Sequence, residues 1–208
     1  MSKQNRKTFY LDKEKEKPVT AGGVLLYRFI KKNMELLLVE GRGVYEDLGG
    51  RVDDNDKDIY ATVAREASEE SNSLLNKSKI KKRLKVAQYV YMTKCKYVIY
   101  IIKADENEEK LVSNDFGEKE KHDDVFRTVK WIPVDTFLLP DIIRHKLNFR
   151  LKSKALFDKL KEIVNDKKLD ANMLSDSSKN INSTSEDESK DEQLEKKPLK
   201  KKSIKSIF

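Results

Sequence analysis

Apolar residues along this chain gather in runs, and the period within each run indicates an element. VTAGGVLLYRFI (19–30) and MELLLVEGR (34–42) are near-continuous apolar stretches separated by Lys31, Lys32 and Asn33, the pattern of two strands joined by a tight turn. KKRLKVAQYVYMT (81–93) and KYVIYIIKA (96–104) are rich in β-branched and aromatic residues and predict a second strand pair, antiparallel across Lys94 and Cys95. VFRTVKWIPVDTFL (125–138) predicts a strand that turns at Pro133, with Trp131 in the core. Two stretches change period. Ile59, Val63, Ala67 and Leu74 fall on one helical arc. From 141 to 164, Ile143, Leu147, Leu151, Ala155, Phe157, Leu160 and Val164 fall at mostly helical spacing, with Arg144, Lys146, Arg150 and Lys152 outward.

The ends have a different texture. Residues 1–17 alternate lysine and glutamate and read as a flexible arm, 18–165 as the folded domain, and 166–208 as a disordered charged tail. In that tail an acidic block (Glu186 to Glu195) precedes a basic one, KKPLKKKSIKSIF (196–208). The bland reading of the basic block is a solvating tail; the sharper one is a binder of RNA or another polyanion, or a nuclear import signal. A length of 208 residues with mean hydropathy −0.75 and 38% apolar content suits one domain plus tails. The net charge of +8 favours anionic partners. The sequence contains no apolar run of about 18 residues and no signal-like N-terminus, so the expectation is a soluble cytoplasmic protein with no membrane partner. Cys95 is the single cysteine, which excludes an internal disulfide and a cysteine metal cluster; it reads as a small apolar filler. No pattern speaks to oligomeric state.

The candidate chemistry lies in LGGRVDDNDKDIYATVAREASEESNS (48–73). Gly49 and Gly50 end a strand in backbone able to take positive φ or to approach a ligand closely. Asp53, Asp54, Asn55 and Asp56 are suited to cap the helix that follows. Glu66, Glu69 and Glu70, at i, i+3 and i+4, share one face within an arc of about 100°. Such clustered anions repel unless a cation or an arginine offsets them, and hard oxygen donors favour Mg²⁺ or Mn²⁺. On those three residues alone, a solvated charged face is the alternative. Asn72 lies where a helix stops in a left-handed residue.

The segment resembles the signature of the Nudix hydrolases, G-x5-E-x7-R-E-U-x-E-E-x-G-U with U a bulky aliphatic. Arg65-Glu66-Ala67-Ser68-Glu69-Glu70 matches R-E-U-x-E-E. Upstream the chain carries one extra residue, so Asp56 or Asp58 takes the place of the acidic partner of Arg65, and Asn72 and Ser73 replace the final G-U. The lysine-rich composition and YEDLGGRVD (45–53) are similar to members of the family encoded by large DNA viruses. The resemblance implies an α/β/α sandwich with a mixed sheet over about Val19 to Val164. It also implies hydrolysis of a nucleoside diphosphate linked to another moiety, X, with Glu66, Glu69, Glu70 and a carbonyl at Gly49 holding Mg²⁺ or Mn²⁺ and Arg65 orienting a glutamate. Arg42 and Arg51 are candidates to touch substrate phosphates. In DENEEKLVSNDFGEKEKHDD (105–124), read as a loop over the site, Glu106, Glu108, Glu109, Glu118 and Glu120 are the candidates for a further ligand or base. His122 and His145 carry little support as catalysts. Capped mRNA and inositol pyrophosphates are the substrates that suit a basic protein best. A non-catalytic module that binds RNA or another polyanion is the rival.

Overall fold

The computed structural model describes residues 7–122, 124–138 and 146–181. The chain divides into two units, Met1–Lys168 and Leu169–Phe208, and the sheet and the site belong to the first. Among the described residues the order is β1 (Phe9–Tyr10), β2 (Pro18–Val19), β3 (Ala21–Ile30), β4 (Asn33–Gly41), β5 (Val44–Glu46), β6 (Leu48–Arg51), α1 (Ile59–Glu70), α2 (Lys77–Leu84), β7 (Gln88–Met92), β8 (Tyr97–Lys103), β9 (Thr128–Pro133), α3 (Asp135–Leu138) and α4 (Lys154–Ile181).

The main sheet runs β5-β4-β3-β8-β7, with β6 on β3 and β9 on β4. Only β3 and β8 pair in parallel; the other pairs are antiparallel, so the sheet is mixed. The runs in β3, β4 and β8 are continuous because both faces are buried. Val24, Leu26, Leu37, Val98, Tyr100 and Ile102 pack with Ile59, Val63, Ala67, Ile80 and Leu84 of α1 and α2. Leu25, Leu36, Leu38, Ile99 and Ile101 pack on the other face with Leu156 and Leu160 of α4. The result is the expected α/β/α sandwich. Each fully buried Leu, Ile or Val contributes about 1.5–3 kcal/mol.

Helix α1 is capped by Asp58, whose side chain accepts from Ala61 N, two residues beyond the last of those expected to cap it. It ends as expected in a left-handed Asn72 (φ 53°), closed by Asn72 N to Glu69 O and Ser73 N to Ser68 O. Leu74, expected on the apolar arc, is exposed, and Leu75 takes the buried place, because the helix has already ended.

Four further expectations are corrected. The arm 1–17 is not loose throughout: β1 pairs with β2, Phe9 and Leu11 pack on the core, and the Lys7 ammonium donates to the carbonyls of Asp54 and Asp56. The strand expected over 81–93 is confined to Gln88–Met92. The preceding residues form α2, capped by Asn76 and seated by Ile80 and Leu84 at i, i+4. The helix expected from 141 begins only at Lys154, after a 3-10 turn at Phe149–Lys152; Leu156, not Ala155, joins its buried stripe. Arg144 and His145 lie outside the described residues, while Lys146 and Lys152 are exposed as expected. Helix α4 continues to Ile181, into the stretch expected to be disordered; 182–208, with the basic block, lie outside the described residues.

Strands β3 and β6 meet through bare backbone, where Gly22 faces Gly50 and Gly23 faces Gly49. A Cβ on Gly23 would lie 2.0 Å from a carboxylate oxygen of Asp47 and 2.5 Å from the Tyr97 hydroxyl, whereas one on Gly41 meets nothing within 4 Å. Gly23→Ala is therefore expected to cost about 1–3 kcal/mol or more in equilibrium urea unfolding, and Gly41→Ala less than about 0.5 kcal/mol. Equal costs would contradict this packing.

Candidate active site

Helix α1 lies against β6 because Gly22 leaves room for Val63: a Cβ there would meet the Val63 side chain at 2.9 Å. That contact brings residues 66 and 70, one turn apart on the helix, onto the bare backbone of β6. The Glu66 carboxylate occupies the space a Cβ on Gly50 would take, 2.4 Å away. One turn on, Glu70 Oε2 accepts a 2.8 Å hydrogen bond from Gly49 N. Glu69 points elsewhere. Its Oε2 accepts from Arg65 Nη1 at 2.9 Å, and its Oε1 lies 4.0 Å from His122 Nε2.

Arg65 holds the surrounding acidic residues. Its Nε and Nη2 donate to the two oxygens of Asp56 at 3.3 and 3.1 Å, and Nη2 also reaches Glu66 Oε1 at 3.0 Å and the Arg51 carbonyl at 2.9 Å. Asp56 rather than Asp58 is thus the acidic partner; Asp58 caps α1 and pairs with Lys81. Burial opposes the charge on Arg65, but the hydrogen bond to Asp56 and the charge of Glu66 outweigh it and raise its pKa. Burial also pushes Asp56 up, and its bonds from Arg65 and the Asp53 N–H more than reverse this.

Glu66 and Glu70 are not compensated in this way. Burial, with added repulsion from Glu69 and Asp56, pushes Glu66 up to about 7 against the pull of Arg65. Burial raises Glu70 well above the carboxylate range, and the charges of Glu66, Asp47 and Glu120 add to it over the opposing Gly49 N–H. Among the loop glutamates, Glu120 bears on the site through its charge, which adds to the rise of Glu70. Glu108 is buried and both its oxygens accept from Arg83 Nη1, Glu106 and Glu118 are exposed, and the Glu109 carbonyl accepts from Arg28.

Asp47, Tyr97 and Arg150 form a buried support that the residue pattern did not reveal. Tyr97 donates its hydroxyl to Asp47 Oδ2 at 2.7 Å, and Arg150 donates Nε to Oδ1 at 3.2 Å while stacking 4.4 Å from the Tyr97 ring. Arg150, expected outward, turns inward because Asp47 is almost wholly buried and needs a cation. The one sequence signal was Tyr97 itself, a hydroxyl within an apolar run that needs a partner when buried. Arg51 is exposed beside Gly50, and Arg42 is exposed at the β4–β5 turn (φ 52°); among the described residues neither side chain makes an ion pair or hydrogen bond to the cluster, which Arg51 meets through its carbonyl.

The donor chemistry fits a hard divalent cation: the converging atoms are carboxylate oxygens whose mutual repulsion and burial a cation would relieve. The set is incomplete in this geometry. No three Asp, Glu, His or Cys side chains among the described residues surround a common point, since Glu69 stays with Arg65, and Gly49 meets the cluster through its N–H.

The NUDIX domain model matches residues 17–151. The chain belongs to the Nudix family. Its enzyme class is accordingly that of a Nudix pyrophosphohydrolase. Among solved structures this Nudix chain is similar to an Ap4A hydrolase of C. elegans in a binary complex, with 18% identity over 71% of this chain and 98% of that one and a TM-score of 0.41. It is also similar to NrtR of Shewanella oneidensis, with 17% identity over 61% of this chain and 58% of that one and a TM-score of 0.35. No match is found among curated proteins.

Because the folded protein holds a proton on Glu66 up to about pH 7, whereas the ordinary value is 4.5, the folded state binds more protons than the unfolded between those limits. Its stabilising contribution is full below the lower value and is lost as pH rises through the upper. Without divalent cations, the thermal midpoint is expected to fall between about pH 5 and about pH 8, and Glu66→Gln to flatten that fall; parallel curves for the two proteins would contradict it.

Proposed function

We propose that this chain is a Mg²⁺- or Mn²⁺-dependent hydrolase that cleaves the pyrophosphate bond of a nucleoside diphosphate linked to X. The observation that carries this reading is the convergence of Glu66 and Glu70, both raised in pKa by burial and repulsion, on Gly49 and Gly50 of β6. Glu66 and Glu70 would hold the cation, with Glu69 and the Gly49 carbonyl completing the set. When bound, the cation offsets charge on the phosphates and makes a water more acidic. Glu120 is the loop carboxylate assigned to supply a further ligand or to accept the proton of the attacking water. Arg65 keeps the acidic loop, β6 and α1 in register. Arg51, beside Gly50, is assigned to a substrate phosphate, and Arg42 to a more distant one.

For X, the charge of +8, the exposed Lys77 and Lys82 on α2 and the exposed Lys85 that follows it suit a polyanion. Capped RNA combines such a polymer with a pyrophosphate linkage and is the preferred substrate, followed by inositol pyrophosphates. A second reading, a binding module without turnover, draws on one observation, the engagement of Glu69 by Arg65.

A screen of capped RNA, dinucleoside polyphosphates, nucleotide sugars and inositol pyrophosphates with Mg²⁺ and Mn²⁺ separates the two. Cleavage is expected only with metal, and Glu70→Gln is expected to lower kcat by about 100-fold or more, the scale of one preorganised charge. RNA binding with no product from any substrate would favour the module.

A further inference from the structure

Asn72 stands where the Nudix signature has glycine, in a left-handed conformation (φ 53°) that glycine adopts without steric cost. Ending the helix requires only backbone, so the side chain is available for another task. Its Nδ2 donates to Phe116 O at 2.7 Å and to Lys119 O at 2.8 Å, and its Oδ1 accepts from Lys121 N at 2.9 Å. Both amide donors and the carbonyl are thereby used, all on backbone atoms of one loop more than 40 residues away along the chain.

That loop is fastened from its other side as well. Phe116 is fully buried, Glu120 N donates to Val125 O, and Arg127 N donates to Glu118 O, both at 2.9 Å. The buried Arg127 guanidinium donates to the carbonyls of Phe116 and Gly117. Phe116 O thus receives both Asn72 and Arg127. Asn72 lies two residues beyond Glu70, on the same helix end, so any loop it grips is held in register with the carboxylates of α1.

We propose that Asn72 is a positioning residue: its side-chain amide clamps the Phe116–Lys121 loop to the end of α1 and so holds Glu120 at the site of Glu66 and Glu70. Glu120 lies between Lys119 and Lys121, whose backbone O and N Asn72 engages, and its own N–H donates to Val125 O. This inference rests on the pyrophosphohydrolase reading for its effect on turnover, though not for the clamp itself.

The test compares wild type, Asn72→Gly, Glu120→Gln and the double variant in the full-length protein. Asn72→Gly retains a backbone suited to φ 53° and is expected to fold. Without metal or substrate, the Lys121 amide is expected to exchange with solvent about tenfold faster or more, its acceptor being lost. With metal and the best substrate of the screen, kcat is expected to fall by about tenfold with KM changed less than about threefold, as for a misplaced group. In the Glu120→Gln background, Asn72→Gly is expected to cause no further loss. Unchanged exchange, wild-type kcat, or an additive loss in the double variant overturns the proposal. A wild type that cleaves nothing defeats the hydrolase reading and, with it, the assigned effect on turnover, while the exchange result still decides the clamp.

Discussion

Two carboxylates of α1 are seated on main chain that carries no side chains, and the geometry of the site follows from that contact. Gly49 and Gly50 face Gly23 and Gly22 across β6 and β3. Glu66 fills the space beside Gly50, while Glu70 bonds to Gly49 N. Any Cβ at positions 22, 23, 49 or 50 would fall within 3 Å of another heavy atom. Helix, strand and neighbouring strand are therefore spaced by backbone, which fixes the separation more tightly than flexible side chains would.

The electrostatics treat the acidic residues unequally, and Glu66 stays raised despite its contact with Arg65. Arg65 engages Asp56, Glu66 and Glu69 and joins them to the β6 carbonyl of Arg51. Asp47 is matched by Arg150 and the Tyr97 hydroxyl. Among the described residues Glu70 has the Gly49 N–H set against burial and the charges of Glu66, Asp47 and Glu120. A folded protein that keeps such an arrangement loses stability unless a proton or a cation neutralises it. These carboxylates lie within the Nudix domain, residues 17–151.

Much of this was legible in the residues and some was not, for physical reasons. Strands buried on both faces give unbroken apolar runs, so β3, β4 and β8 were plain. The Arg65–Glu70 hexad identified α1 and its carboxylates together. Helix α2 was missed because only Ile80 and Leu84 anchor it and its lysines are solvated, leaving too few apolar positions to show a period. The N-terminal hairpin was missed because β1 and β2 span two residues each. Asp47 and Arg150 could not be paired from sequence, since 103 positions separate them and each reads alone as surface charge. The choice of Asp56 over Asp58 needed the loop's path, which the extra residue before Arg65 hides from any count of spacing.

Anomalous X-ray scattering from crystals grown with Mn²⁺ is the most direct measurement of the central claim. A manganese peak bonded to oxygens of both Glu66 and Glu70, beside Gly49, is the expected result. Crystals saturated with Mn²⁺ that show no peak there, with Glu70 still on the Gly49 N–H and the metal bound elsewhere, would contradict the account.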